Sequence, residues 1–103
     1  MRLIEKEMLR AIGANVAWSK DNTRVEPTDA DGMLACRVFL HGNHIADTLQ
    51  IDRHGRMQVF PNRDTLAEWP TPTTKSRLRA LGVNVTQKAG VVAIDGETVC
   101  SIN

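Results

Sequence analysis

One stretch in the second half of the chain organises the fold: Trp69-Pro70-Thr71-Pro72-Thr73-Thr74-Lys75-Ser76-Arg77-Leu78-Arg79-Ala80-Leu81-Gly82. Its two prolines restrict the residues before them to extended conformations, so the chain is predicted to enter this stretch extended. Thr73 or Thr74 can then act as the N-cap, because a threonine hydroxyl accepts a hydrogen bond from a free amide at a helix start. Gly82 supplies the left-handed residue that commonly follows the end of a helix. The stretch therefore predicts a short helix with a defined start and end.

This helix is predicted to have an apolar face and a basic face. Leu78 and Leu81 lie three residues apart and are expected to dock the helix on the core. Lys75 and Arg79 lie four residues apart on another face. Together with Arg77 they are expected to offer three cations to a partner.

Length and charge limit the class of protein. At 103 residues the chain is predicted to be a single domain, spanning residues 1–103, with one core. The net charge of +1 gives no overall reason to expect nucleic acid or an anionic membrane as partner. Residues 69–94 nevertheless carry four basic side chains and no acidic one, so a locally basic face is expected. No segment approaches the length of about 20 apolar residues that a membrane span needs, which predicts a protein without a membrane partner.

The two cysteines are predicted to be buried thiols, because Cys36 and Cys100 each lie inside an apolar run. They are far apart in sequence and lack the paired spacing of a zinc site. A reducing, cytoplasmic compartment fits this usage, and no cofactor is expected.

The segments on either side of the organising stretch alternate between helices and hairpin blocks. Four strands are predicted before it, at 23–26, 33–40, 44–52 and 56–60, and three after it, at 83–86, 91–94 and 98–102. Asp31-Gly32 and Asp95-Gly96 are typical of two-residue hairpin turns. Asp47-Thr48 break the alternation of their strand and indicate a bulge. The predicted fold class is α+β: an antiparallel β-meander sheet with an N-terminal amphipathic helix and a second short helix before a C-terminal β-hairpin.

The N-terminal helix is predicted from apolar residues at helical spacing. Leu3, Ile4 and Met8 would face the sheet, with Glu5 among the charged residues on the solvated side. In the link before the second helix, Leu66 is expected to reach the core. The sequence leaves open whether Trp18 and Trp69 are core or contact residues.

Candidate chemistry lies at one turn. His41, His44 and Asp47 recur at intervals of three, which on a helix would place metal ligands on one face. On the predicted strand, side chains three apart point to opposite faces, so histidines hydrogen-bonded at a hairpin are favoured over a metal site. The sequence has no paired nucleophile and base, phosphate loop or dinucleotide fingerprint, and no enzyme is predicted.

The start of the second helix suggests recognition instead. Free amides, hydroxyls and cations at a helix N-terminus are groups that hold phosphate. With Trp69 as a stacking surface, they make nucleic acid an alternative partner. The candidate binding residues are Thr73, Thr74, Lys75, Ser76, Arg77, Arg79, Trp69, His41 and His44.

Two motifs in the chain resemble a known group. Leu40-His41-Gly42-Asn43-His44-Ile45-Ala46, and the stretch from Trp69 to Leu81, are together similar to a family of small uncharacterised proteins of tailed bacteriophages. That resemblance implies a phage origin and expression in the host cytoplasm. It also favours host-directed roles, because small phage proteins without an active site commonly bind and inhibit a host factor.

The sequence therefore predicts a non-enzymatic phage accessory protein that binds a host macromolecule, first of all a protein of defence, transcription or replication. The predicted contact face joins Lys75, Arg77 and Arg79 to the His41–His44 turn. A nucleic-acid binder using residues 73–79 and a small metalloprotein or enzyme at His41 and His44 are the alternatives. A homodimer through the sheet edge at 99–102 is a further expectation.

Overall fold

The computed structural model describes residues 1–52 and 56–99, which form three helices and two antiparallel sheets. In chain order the elements are α1 (Leu3–Ala14), β1 (Trp18–Lys20), β2 (Thr23–Ala30), β3 (Met33–Leu40), β4 (Asn43–Gln50), β5 (Met57–Pro61), α2 (Arg63–Glu68), α3 (Pro72–Ala80), β6 (Val85–Lys88), β7 (Val91–Ile94) and β8 (Glu97–Thr98). Strands β1 to β5 form one sheet in sequence order, and β6 to β8 form the other. The predicted α+β class with an antiparallel meander is confirmed, although the meander has five strands rather than four.

Two-residue turns join neighbouring strands at five places in the described chain: Asp21-Asn22, Asp31-Gly32, His41-Gly42, Ala89-Gly90 and Asp95-Gly96. Both residues of each turn have positive φ, which matches the right-handed twist of the flanking strands. The predicted hairpins at Asp31-Gly32 and Asp95-Gly96 are confirmed. In the β3–β4 turn the left-handed residues are His41 and Gly42.

The helices pack on one face of the five-stranded sheet. Met8 of α1, Leu66 of α2 and Leu78 of α3 are fully buried in one core with Val25 and Val38 of the sheet. Apolar residues of β6 and β7 complete the same core. Apart from Ala35, the opposite face of the five-stranded sheet carries partly or fully exposed side chains, because strand residues alternate between the two faces.

The first helix is rotated relative to the prediction. Glu5 is buried and Leu3 is 66% exposed, so the assignment of Glu5 to the solvated face is wrong. Glu5, Met8 and Ile12 follow the i, i+3, i+7 spacing of one helix face, and all three are buried. A carboxylate can occupy the core-facing position here because a cation from another helix meets it, as described below.

Two features of the first hairpin differ from the prediction. Trp18 lies in β1, a strand that was not predicted, where it pairs with Val25 and is partly buried against the core. β2 was predicted to end at Glu26, but it continues through Pro27 to Ala30. The proline is tolerated because β1 covers β2 only as far as Val25, and beyond that point β2 is an edge strand.

The bulge in β4 lies at Ile45 rather than at Asp47-Thr48. The pairing runs from Val38 with Ala46 directly to Phe39 with His44, which leaves Ile45 without a partner. Ile45 and Ala46 are consecutive and both buried, as a bulge allows.

Some predictions concern residues that the structure does not describe. Residues 53–55 and most of the last predicted strand, with Cys100 and residues 100–102 of the expected dimer edge, lie outside the described ranges. The proximity of Cys36 and Cys100 is therefore untested, but Cys36 itself is buried as predicted.

Candidate binding groove

The second predicted helix, α3, begins earlier than expected, because Thr71 is its N-cap rather than Thr73 or Thr74. The Thr71 hydroxyl accepts a hydrogen bond from the Thr74 amide at 3.1 Å, and the two hydroxyl oxygens lie 2.9 Å apart. Pro72 occupies the first helical position, where its fixed φ is suitable and its missing amide costs nothing. The Lys75 amide donates to the Thr71 carbonyl. Two of the amides expected to hold phosphate, those of Thr74 and Lys75, are thus already bound within the helix start.

Arg77 is not a surface cation, so its predicted place on the basic face is wrong. Its side chain is 5% exposed, and its Nη1 atom lies 2.9 Å from Oε2 of Glu5, whose side chain is 4% exposed. The Arg77 Nε atom donates to the Thr23 hydroxyl at 3.1 Å, and the Ser76 hydroxyl lies 2.6 Å from the same Glu5 oxygen. We call Glu5, Thr23, Ser76 and Arg77 the buried network. It joins α1, α3 and the start of β2.

The Glu5 carboxyl is held ionised in this network. Burial by itself raises the pKa of the Glu5 carboxyl, but hydrogen bonds from Ser76, from Arg77 and from the Arg2 amide, with the positive charge of Arg77, more than offset it. The net pKa is therefore below the ordinary value of 4.5.

The other two cations of α3 contact the second sheet. Lys75 Nζ hydrogen-bonds to the side-chain oxygen of Gln87, and Arg79 Nε donates to the Val85 carbonyl at 2.9 Å. Both acceptors belong to β6. Arg79 is nevertheless exposed and Lys75 is partly exposed, so their predicted binding role stays a prediction.

The two histidines of the predicted turn lie in different surroundings. His44 Nε2 lies 2.8 Å from Asp47 Oδ1, and its ring centroid is 5.3 Å from that of Phe39, on the open sheet face. The argument that residues three apart point to opposite faces is wrong here, because the Ile45 bulge restores His44 and Asp47 to one face. In the described ranges, 1–52 and 56–99, no three or more histidine, cysteine or acidic side chains are grouped to hold a metal.

His41 instead joins a groove of about 290 Å³ between the β3–β4 hairpin and the α2–α3 connection. Its lining, which we call the motif groove, consists of Leu40, His41, Asn43, Ile45, Thr65, Trp69, Thr71 and Thr74. Except for Thr65, these residues come from the two motifs that carried the resemblance to phage proteins. Trp69 is 52% exposed, which makes it a contact-type residue rather than a core residue.

The sequence identified His41, Trp69 and Thr74 as candidates but missed the other lining residues. Asn43 and Thr71 could have been found as the residue after the turn and as an N-cap before a proline. Leu40 and Ile45 have the pattern of ordinary buried strand residues. Their position beside a groove depends on how the helices pack on the sheet, which no local sequence pattern shows.

No curated protein and no solved structure matches the chain. Within the described residues there is no helix long and apolar enough to cross a membrane. A family model described as Kyanoviridae Gp96 protein matches residues 1–103. The phage origin that the resemblance implied is confirmed, while the value of the two motifs as family markers stays a prediction. The chain belongs to the Kyanoviridae Gp96 family of bacteriophage proteins.

Proposed function

We propose that this phage protein is a non-enzymatic accessory protein that acts in the host cytoplasm by binding, and thereby inhibiting, a host protein of defence, transcription or replication. One observation carries the proposal: the two motifs, far apart in sequence, meet in the motif groove. We assign His41 and Trp69 as the central contact residues, whereas Thr74, at 3% exposure, supports the groove from below its surface. Ser76 and Arg77 have structural roles in the buried network instead.

The chemistry of the groove favours a protein partner. Trp69 supplies the exposed apolar surface, beside the buried side chains of Leu40 and Ile45, and threonine and asparagine side chains supply hydrogen-bonding groups that carry no charge. Interface centres are typically depleted in charge and enriched in aromatic residues such as tryptophan. A half-exposed tryptophan beside such a surface is the kind of residue that dominates the binding energy of a protein interface.

The arrangement of cations disfavours the nucleic-acid alternative. Binding to a phosphate backbone depends on several lysine or arginine side chains that neutralise phosphates together. Arg77 is buried against Glu5, and Lys75 and Arg79 hydrogen-bond to β6. The described lining of the motif groove contains none of these three residues.

The test is a pull-down from host lysate with tagged protein, with and without nuclease treatment. We expect the wild-type protein to retain a host protein after nuclease treatment, and Trp69→Ala to lose it. Phe60→Ala is the matched control, because Phe60 is also an exposed aromatic residue, at 48%, but lies on β5 away from the groove lining. Thermal unfolding of both variants checks that the fold is kept. Retention by Trp69→Ala would refute the groove as the contact, and recovery that vanishes with nuclease would indicate nucleic acid.

A further inference from the structure

The two edges of the five-stranded sheet differ in how they are protected. A free strand edge is a template for another strand, and proteins commonly block it with a short strand, a lysine or a proline. β1 has three residues and ends at Lys20, whose Nζ lies 3.3 Å from Glu7. β5 has five residues, no charged side chain, and a proline only at its last position. In the described chain no strand pairs with the outer side of β5.

The direction of the β5 amides follows from its pairing with β4. The Ile51 amide donates to the Arg56 carbonyl at 2.9 Å, and the Asn62 amide donates to the Ile45 carbonyl at 2.8 Å. Residues 56 and 62 therefore direct their backbone groups toward β4, and so do 58 and 60, since the direction alternates along a strand. Met57, Val59 and Pro61 must direct their backbone groups outward.

We propose that β5 pairs with β5 of a second copy of this chain, in antiparallel orientation around a twofold axis at Val59. In this register each Val59 amide donates to the other copy's Val59 carbonyl, and each Met57 amide donates to the other copy's Pro61 carbonyl. The missing amide of Pro61 leaves only the Met57 carbonyl without a donor. Every outward amide of the strand thus has an acceptor.

The side chains fit the same register. Gln58 would lie opposite the second copy's Phe60 on the open sheet face, where both residues are exposed in the single chain. The 48% exposed Phe60 ring would gain cover from the neighbouring strand. Arg56 would lie opposite Asn62, so no like charges meet along the junction. Because both copies use the same strand, the assembly is complete as a dimer, and the two five-stranded sheets join into one continuous sheet.

Sedimentation of the full chain over a concentration series tests the dimer. We expect a monomer–dimer equilibrium whose dissociation constant rises about tenfold or more in Val59→Pro, because two central hydrogen bonds are lost. The amide of Val59 faces away from β4, so this variant keeps the β4–β5 pairing. A wild-type protein that is monomeric at every concentration would overturn the proposal.

Cross-linking tests the register independently of fold stability. In a Cys100→Ser background, we expect Gln58→Cys protein mixed with Phe60→Cys protein to form a disulfide-linked dimer under mild oxidation. Each single variant alone should cross-link several-fold less, because like positions are not opposite each other. Equal cross-linking in the mixture and in the separate samples would overturn the register and the proposal with it.

Discussion

Replacing Arg77 with methionine should be among the most damaging single changes in the described part of this chain. The variant keeps an unbranched side chain of similar length but leaves the buried Glu5 carboxylate with only the Ser76 hydroxyl and the Arg2 amide as donors. Removing one partner of a buried ion pair costs about 3–5 kcal/mol, because the remaining charge is left uncompensated. Because these two donors still contact the carboxylate, we expect the lower end of that range, a loss of about 3 kcal/mol in the free energy of unfolding. This corresponds to a drop in Tm of about 15 °C.

Urea unfolding followed by tryptophan fluorescence gives this free energy, and a double-mutant cycle isolates the pair. We expect Glu5→Met to lower the free energy of unfolding by a similar amount. The double variant Glu5→Met, Arg77→Met should recover much of that free energy, because an apolar pair of similar volume leaves no buried charge. A loss below about 1 kcal/mol in Arg77→Met, within the range of an exposed ion pair, would refute the burial argument.

The same network predicts how stability depends on pH. The pKa of Glu5 is lower in the folded chain than its ordinary value, so the folded state favours the ionised form. The stabilisation is fully present above the unfolded pKa, and it is lost as the pH falls below 4.5 through the folded pKa. Glu5→Gln should therefore show a flatter decline of stability in acid than the wild-type protein. An equally steep decline in both proteins would show that Glu5 does not contribute to the acid sensitivity.

Two further variants, one single and one double, test the start and the basic face of α3. Thr71→Ala removes the N-cap hydroxyl and should lower the free energy of unfolding, measured in urea, by about 1 kcal/mol. Thr86→Ala is the control, because Thr86 is exposed and its replacement should change that free energy little. Reversing the charges of Lys75 and Arg79 to glutamate should leave capture of the host protein within about twofold in the pull-down, because both side chains contact β6 rather than the groove. Loss of capture would instead locate the contact on the basic face that the sequence indicated.

The parts of the fold that sequence predicted correctly depend on local chemistry. Asp31-Gly32 and Asp95-Gly96 specify turns because their backbone preferences act within two residues. Gly82 follows α3 with φ of +94°, as a residue at the end of a helix commonly does.

The error at Glu5 and Arg77 has a different cause, since it depends on a contact between distant residues. Glu5 and Arg77 are 72 residues apart in sequence, and each looks like an ordinary surface charge until the two are brought together. One local signal was present, because Glu5 lies in phase with Met8 and Ile12 on the buried face of α1. The bulge was predicted at Asp47-Thr48 rather than at Ile45, because the adjacent apolar residues Ile45 and Ala46 do not by themselves mark a bulge.

The buried network also supports the motif groove, which affects how variants should be interpreted. The Asn22 carbonyl accepts the His41 amide at 2.8 Å, and the next residue, Thr23, accepts Arg77 Nε at 3.1 Å. Asn22 at the end of the β1–β2 turn thus holds the hairpin that forms one wall of the groove, and Thr23 at the start of β2 holds the helix that carries Thr74 in the other wall. Loss of binding in an Arg77 variant would follow from displacement of α3 even if Arg77 never touches the partner. Only half-exposed lining residues such as Trp69, whose truncation leaves this network intact, can report on the contact itself.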